Sequence, residues 1–337
     1  MYNIRNKNIL ITGGDGFIGS HLVEKLYKKN CSIRAIAAYN SFNNWGWLDS
    51  IDSKIIKNIE VMPGDIRDSK FMNSACKNID IIFHLASLIA IPYSYKSPYS
   101  YVDTNVLGTL NTLEASLNNN VDRIIHTSTS EVYGESNMIS ISEKSPPIAR
   151  SPYAASKIAA DQLAYSYFST HALPVSIIRP FNTYGPRQSS RAIIPTIITQ
   201  ALSGSKKIKL GSLYPTRDFT FVDDTVSGFI KMAESSRNFG EIINIGSGFE
   251  ISIEHLCKMI IKLTNSSALL IQEKKRVRPK LGEVDRLKAN INKAADFINW
   301  KPSYSGKSGL KKGLEKTIEW FSNPKNLAKY KSNIYNI

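Results

Sequence analysis

The segment "NILITGGDGFIGSHLVEKLY", residues 8 to 27, decides the fold. It opens on a short β-branched apolar run and breaks on Gly13, Gly14, Gly16 and Gly19. It resumes with Phe17, Ile18, Leu22, Val23 and Leu26 at helical spacing. The order is strand, tight turn, helix. Gly14, Gly16 and Gly19 fit GxGxxG, while Gly13, Gly16 and Gly19 fit GxxGxxG. In either register a pyrophosphate can approach the backbone at a helix N-terminus, where unpaired N–H groups and the helix dipole favour negative charge. Gly13, Gly16, Phe17, Ile18 and Gly19 are therefore expected to hold a dinucleotide rather than to form a plain βα turn.

Outward from this unit the pattern repeats. Apolar β-branched runs occur at 32–37, 59–64, 79–86, 122–128 and 174–180, and helical periods such as "NVLGTLNTLEAS" lie between most of them. Such alternation predicts an α/β fold, a Rossmann-like doubly wound parallel sheet. Beyond residue 180 the pattern loosens into helices among short strands, which predicts a smaller C-terminal α/β substrate domain. The expected division is 1–180, with a strand and helix returning from about 217–236, as the dinucleotide domain; 181–216 and 237–330 as the substrate domain; and 331–337 as a tail.

Composition narrows the classes. The chain has 337 residues, 42% of them hydrophobic, enough for a large core. No run approaches the ~20 apolar residues of a membrane helix and no signal segment opens the chain, so a cytoplasmic protein without membrane attachment is expected. Cys31, Cys76 and Cys257 have no disulfide or ligand spacing, and the histidines do not cluster, so no metal is implied. The net charge of +15 is spread along the chain rather than gathered in a stripe. It fits solvated lysines and a basic pocket for an anionic small substrate better than a nucleic-acid surface.

The second strand lacks the acid that would hold a ribose 2′-hydroxyl ~20 residues after the glycines. Tyr39, Asn40 and Ser41 stand there instead. They can bond a hydroxyl or a phosphate, so the residues leave NAD and NADP both open.

"SPYAASK" places Tyr153 and Lys157 four residues apart on one helix face. A lysine beside a tyrosine is expected to favour the phenolate and lower its pKa, making it a proton acceptor from a sugar hydroxyl.

With "GDIRD", "HLAS", "DTNVLGTLN", "TSTSEVYG", "RPFNTYGPRQ" and "TRDFTFVDDT" following in order, the chain resembles, nearly end to end, the extended short-chain dehydrogenase/reductase family. The resemblance implies an NAD-dependent enzyme acting on a nucleotide-diphosphate sugar. It puts Asp65 and Ile66 beside the adenine and Leu85, Ala86 and Ser87 along the cofactor ribose. Thr129 becomes the hydroxyl partner of Tyr153 and Lys157. Asn182 would meet the substrate diphosphate, and Arg217 and Arg278 would clasp its phosphates, with Arg191, Asn105 and Tyr95 as further substrate contacts.

Within that family "TSE" resembles the nucleotide-sugar 4,6-dehydratases, as in the GDP-mannose branch. Once C4 is a ketone, removal of the C5 proton needs a base, and Glu131 is placed to be it. Ser130 stands where related dehydratases have aspartate, so the acid at C6 is either Ser130 or Glu131 through its own proton. "YNSFNNWGWLD", "ASLIAIPYSYKSPYSYVDTN" and "LGSLYPTRDF" resemble more closely the branch that dehydrates GDP- or UDP-N-acetylglucosamine in bacterial legionaminic acid synthesis. In that comparison Trp45 and Trp47 either flank the site or pack their own loop. Three rivals stand beside this reading: a UDP-glucuronate decarboxylase using Arg150, a 4-epimerase in which Glu131 is idle, and a non-catalytic binding module. The family also implies a homodimer, through helices that carry Tyr165, Tyr167 and Phe168.

Overall fold

The centre of the molecule is a seven-stranded parallel sheet, seen in a computed structural model that describes residues 2–134, 138–277, 282–331 and 334. Its strands are β1 (Asn8–Thr12), β2 (Ser32–Ala38), β3 (Glu60–Gly64), β4 (Ile81–His84), β5 (Arg123–Thr127), β6 (Val175–Pro180) and Ile242–Ile245. The spatial order is Ile242–Ile245, β6, β5, β4, β1, β2, β3. Successive residues of a strand feed opposite cores. Ile9, Ile11, Ile81, Phe83 and Ile125 belong to one apolar cluster, while Leu10, Ile82 and Ile124 belong to another. Both faces are therefore covered, which is why these strands read as continuous apolar runs rather than alternating ones.

The winding reverses between β1 and β4. The glycine turn after β1 and the loop Leu85–Ser87 after β4 consequently flank the crevice where open α/β sheets bind ligands. The strand that returns to the sheet is Ile242–Ile245, paired with β6. The expected returning strand near residue 217 goes elsewhere: Thr216–Asp218 sits between Glu250–Ser252 and Arg286–Leu287, and Thr220–Phe221 pairs with Thr183–Tyr184. The helix Val222–Glu234 does return, packing against β5 and the helix Phe17–Tyr27. Ile198, Phe221, Leu256 and Leu314 of the C-terminal part lie in the same cluster as Ile9 and Phe83, so the two parts share one core.

The helix Pro152–His171 starts cleanly. Ser151 Oγ accepts from the Ala154 N–H at 3.1 Å and Pro152 occupies the first turn. Beside it, residues 98–118 run as a helix interrupted by a π-helical stretch, Val102–Leu107. Tyr167 is buried with its hydroxyl on Glu114, and Phe168 packs over Gly240. Of the three aromatics expected to need covering, only Tyr165 is exposed. Among the described residues, no helix is long and apolar enough to cross a membrane, and no His/Cys/Asp/Glu group has metal-site geometry.

Candidate active site

Thr12, the last residue of β1, ties the glycine turn to the end of β4. Its Oγ1 accepts from the N–H groups of Leu85 and Ala86 at 3.0 and 3.1 Å and lies 2.9 Å from His84 Nδ1. Gly13 follows with φ of 68°, and a Cβ there would come within 2.9 Å of the Ala86 nitrogen. A Cβ on Gly16 would meet only the Gly13 carbonyl oxygen, at 3.2 Å, so the space beyond the turn is open. The helix Phe17–Tyr27 begins with no side-chain cap and no acidic residue in its first turn. That cradle fits a pyrophosphate.

Asp15, inside the glycine motif, was not anticipated as a site residue. Its carboxylate accepts from Ala38 N–H at 3.0 Å and its carbonyl from Trp47 N–H at 2.9 Å, so the turn sets the course of the loop after β2. In that loop Tyr39 is exposed, Ser41 is exposed, and the Asn40 side chain bonds its own loop at Ala38, Phe42 and Asn44. Trp47 stacks on Tyr330 at 6.1 Å and meets Trp320 edge-on at 5.7 Å, so it packs the loop against the C-terminal helices. Asp65 is clasped by Arg67, whose hydrogen bonds hold its carboxyl below the usual range. Ile66 is buried under Gly108.

The catalytic candidates converge from β5 and the helix Pro152–His171. Thr129 caps the one-turn helix Ser130–Tyr133, its Oγ1 accepting from Glu131 N–H at 3.2 Å. Tyr153 is 7% exposed. Burial pushes its hydroxyl pKa up, a hydrogen bond with Thr129 opposes the rise, and the nearby Glu131 carboxylate adds to it. Thr129, Glu131 and Tyr153 are thus in one place. Lys157 is 3% exposed and its ammonium donates to the Thr127 carbonyl. Burial brings its pKa down to about 8, with Asp161 opposing. Burial is the largest influence on the Tyr153 hydroxyl, and the Lys157 ammonium, one turn further along the helix, is turned toward Thr127. Ser130 is buried beside them.

On the substrate side the expected residues separate. Asn105 is 1% exposed, and its amide bonds Leu88 N–H, Leu88 C=O and Ser156 Oγ. Because those bonds occupy both amide hydrogens, the expected sugar contact gives way to a clamp on the loop after β4. Asn182 is partly buried, with Nδ2 3.5 Å from the Asp218 carbonyl. Arg191 is exposed and close enough to Tyr101 for its charge to oppose the rise that burial imposes on that hydroxyl. Arg217 is largely buried and paired with Glu283 at 3.2 Å. Tyr95 reaches the Arg150 carbonyl at 3.4 Å. Arg278 lies outside the described residues.

Comparison with known proteins agrees with this geometry. The family model for GDP-mannose 4,6 dehydratase matches residues 10–313. A UDP-N-acetyl-alpha-D-glucosaminuronate decarboxylase of Bacillus cytotoxicus is 33% identical over 333 residues, covering 94% of this chain and 98% of that protein. The dTDP-D-glucose 4,6-dehydratase of Homo sapiens is 33% identical over 330 residues, covering 96% and 93%. The structure of a dTDP-glucose 4,6-dehydratase double mutant from Streptomyces venezuelae with NAD bound superposes with a TM-score of 0.84 at 28% identity, covering 94% and 97%. A UDP-glucuronic acid 4-epimerase mutant from Bacillus cereus, also with NAD, gives 0.84 at 31%, covering 93% and 98%.

Proposed function

The chain belongs to the GDP-mannose 4,6-dehydratase family, and on that premise we propose that it is an NAD-dependent nucleotide-sugar 4,6-dehydratase. Its substrate in this reading is GDP- or UDP-N-acetylglucosamine and its product the 4-keto-6-deoxy sugar of legionaminic acid synthesis. The observation that carries the reading is the placement of Glu131 two residues after Thr129, its N–H bonded to Thr129 Oγ1 and its charge felt at Tyr153. An oxidation alone has no use for that carboxylate.

The open glycine turn and the uncapped helix Phe17–Tyr27 would hold NAD, with Leu85, Ala86 and Ser87 beside its ribose. When bound, NAD supplies a hydride acceptor that can give the hydride back. Tyr153, oriented by Thr129, acts as the tyrosinate that takes the proton of the sugar 4-hydroxyl and becomes the neutral phenol, and the Lys157 ammonium one turn away favours the tyrosinate before the transfer. With a ketone at C4 the C5–H bond is acidified. Glu131 removes that proton and, as the acid formed, returns one to the departing C6 hydroxyl, which leaves as water; Ser130 is the alternative acid in this reading. Asn182, Arg191, Arg217 and Arg278 hold the diphosphate side. The exposed Tyr99, Val102, Leu107 and Tyr165, on the two neighbouring helical segments, supply the face of a homodimer.

Incubation of the purified protein with each N-acetylglucosamine nucleotide tests the reading. The expected product is lighter by one water, with no net consumption of NAD. A product of unchanged mass and inverted C4 would establish an epimerase instead. The similarity to the Bacillus cytotoxicus decarboxylase favours one second reading, decarboxylation of a uronate with Arg150 facing its C6 carboxylate. Release of CO2 from a UDP-uronate would establish that one.

A further inference from the structure

The helix Pro152–His171 carries a third functional group below Tyr153 and Lys157. Asp161 follows Lys157 by one turn, on the same face, and is 1% exposed. A carboxylate buried this deeply is costly unless it is hydrogen-bonded and paired. Ser128 Oγ donates to Asp161 Oδ2 at 2.7 Å, and Arg179 donates to the same oxygen through Nη2 at 2.8 Å and Nε at 3.2 Å. His126 Nε2 lies 3.2 Å from Oδ1. Three polar side chains from β5, its following loop and β6 thus converge on one side chain of this helix, Ser128 and Arg179 as donors and His126 as a close neighbour.

The charge balance around it is simple. His126 stacks on His84 at 5.7 Å, and burial lowers the pKa of both, so both are neutral. Arg179 lies over the Tyr133 ring at 4.8 Å, and the Tyr133 hydroxyl donates to Asn244 Oδ1 at 2.7 Å. Burial pushes that hydroxyl up to about 12, so it is neutral too. Glu143, partly buried, accepts from Asn244 N–H at 2.8 Å and is close enough to Arg179 to feel its charge. Glu131 is near Tyr153 and only partly buried. The two buried cations, Lys157 and Arg179, therefore share Asp161 as their fully buried counter-charge among the described residues. Ser128 and Arg179 both bind Oδ2, and Oδ1 has no well-aligned donor.

We propose that Asp161 is a positioning residue of this active site, the counter-charge that keeps the Lys157 ammonium protonated at neutral pH, itself held in place by Ser128 and Arg179. The proposal deepens the reading of Tyr153 and Lys157 as the proton-transfer pair and rests on it for its consequence in turnover. The charge relationship itself does not.

Titration of the lysine side-chain nitrogens by NMR, in lysine-selectively labelled protein with Lys157 assigned through Lys157→Arg, reads the relationship without any substrate. In Asp161→Asn the Lys157 midpoint should move toward acid by about one pH unit, a tenfold loss of proton affinity. Asp161→Glu should restore it. If Asp161→Asn fails to fold because Arg179 is left as an unpaired buried cation, Asp161→Asn/Arg179→Met removes both charges and supports the same titration. An unmoved midpoint in the folded variant overturns the proposal. In turnover, the ammonium is present only below its pKa, so the variant should lose activity at a lower pH than wild type. A merely structural Asp161 would lower activity equally at every pH. A moved midpoint in a protein that dehydrates no nucleotide sugar would refute the dehydratase reading and leave the counter-charge standing.

Discussion

Asn105 binds both backbone polar groups of Leu88: its Oδ1 accepts from the Leu88 N–H at 2.8 Å and its Nδ2 donates to the Leu88 carbonyl at 3.0 Å. The second amide hydrogen goes to Ser156 Oγ at 2.9 Å, on the helix that carries Tyr153. One side chain thus fixes the loop after β4 against the catalytic helix. Asn105→Ala leaves these groups unpaired in a buried place and should lower stability by about 2–3 kcal/mol in urea unfolding. Turnover should fall with it, because the Leu85–Ser87 segment loses its anchor. Wild-type stability in this variant would mean that water replaces the amide.

Tyr153→Phe removes the hydroxyl that bonds Thr129 and that the proposed reaction uses as its proton acceptor. Loss of a positioned acid–base group costs typically 10²–10⁴ in rate. The expected result is a fall of that size in kcat with the dinucleotide still bound, read by steady-state turnover and by fluorescence titration with NADH.

Glu131→Gln separates oxidation from elimination. The variant should retain C4 oxidation but fail to exchange the C5 hydrogen with deuterated solvent, as read by mass spectrometry of the sugar. Full turnover in the variant would leave Glu131 idle and favour an epimerase.

Gly13→Ala asks an L side chain to adopt φ of 68° with its Cβ 2.9 Å from the Ala86 nitrogen. The conformation alone costs about 1–2 kcal/mol, and the contact pushes the loop after β4 away from the turn. NADH affinity should drop at least about tenfold, a loss of about 1.4 kcal/mol.

His21 gives the protein an acid-sensitive joint. On the helix Phe17–Tyr27 it meets Arg187 of the C-terminal part, with Nδ1 2.8 Å from the guanidinium, while its Nε2 lies 3.0 Å from the Pro186 carbonyl. Burial, and then the Arg187 charge, lower its pKa to about 3. A folded-state pKa below the unfolded value means that the folded form binds fewer protons, so this stabilisation is complete above about pH 6.5 and is lost as the pH falls toward 3. The melting temperature of wild type should therefore decline on acidification through that interval. His21→Asn should decline less steeply.

Much of this site was legible because it is local in sequence. The turn 13–19 is encoded by glycine spacing between a strand and a helix, and Tyr153 and Lys157 lie one turn apart, so neither needed long-range information. Less visible were groups whose meaning is a distant partner. Asp15 reads as a filler between glycines until Ala38 and Trp47 close on it, and His84 reads as a strand end until Thr12 and Thr109 bracket its ring. Asp161 had one local signal, its four-residue offset from Lys157. Ser128 and Arg179, which give that offset a function, come from 33 and 18 residues away.

By itself the sequence determined the alternation of strand and helix, the glycine turn between β1 and the first helix and the one-turn spacing of Tyr153 and Lys157, because periodicity, backbone freedom and i,i+4 spacing act over a few residues. Only the tertiary structure decided which strand completes the sheet, that Asn105 serves the loop, and that burial pushes the Tyr153 hydroxyl up and the Lys157 ammonium down. Those outcomes depend on burial and on charges brought together from remote segments, and the free energy of an ion in a protein is set by the three-dimensional surroundings that replace its water.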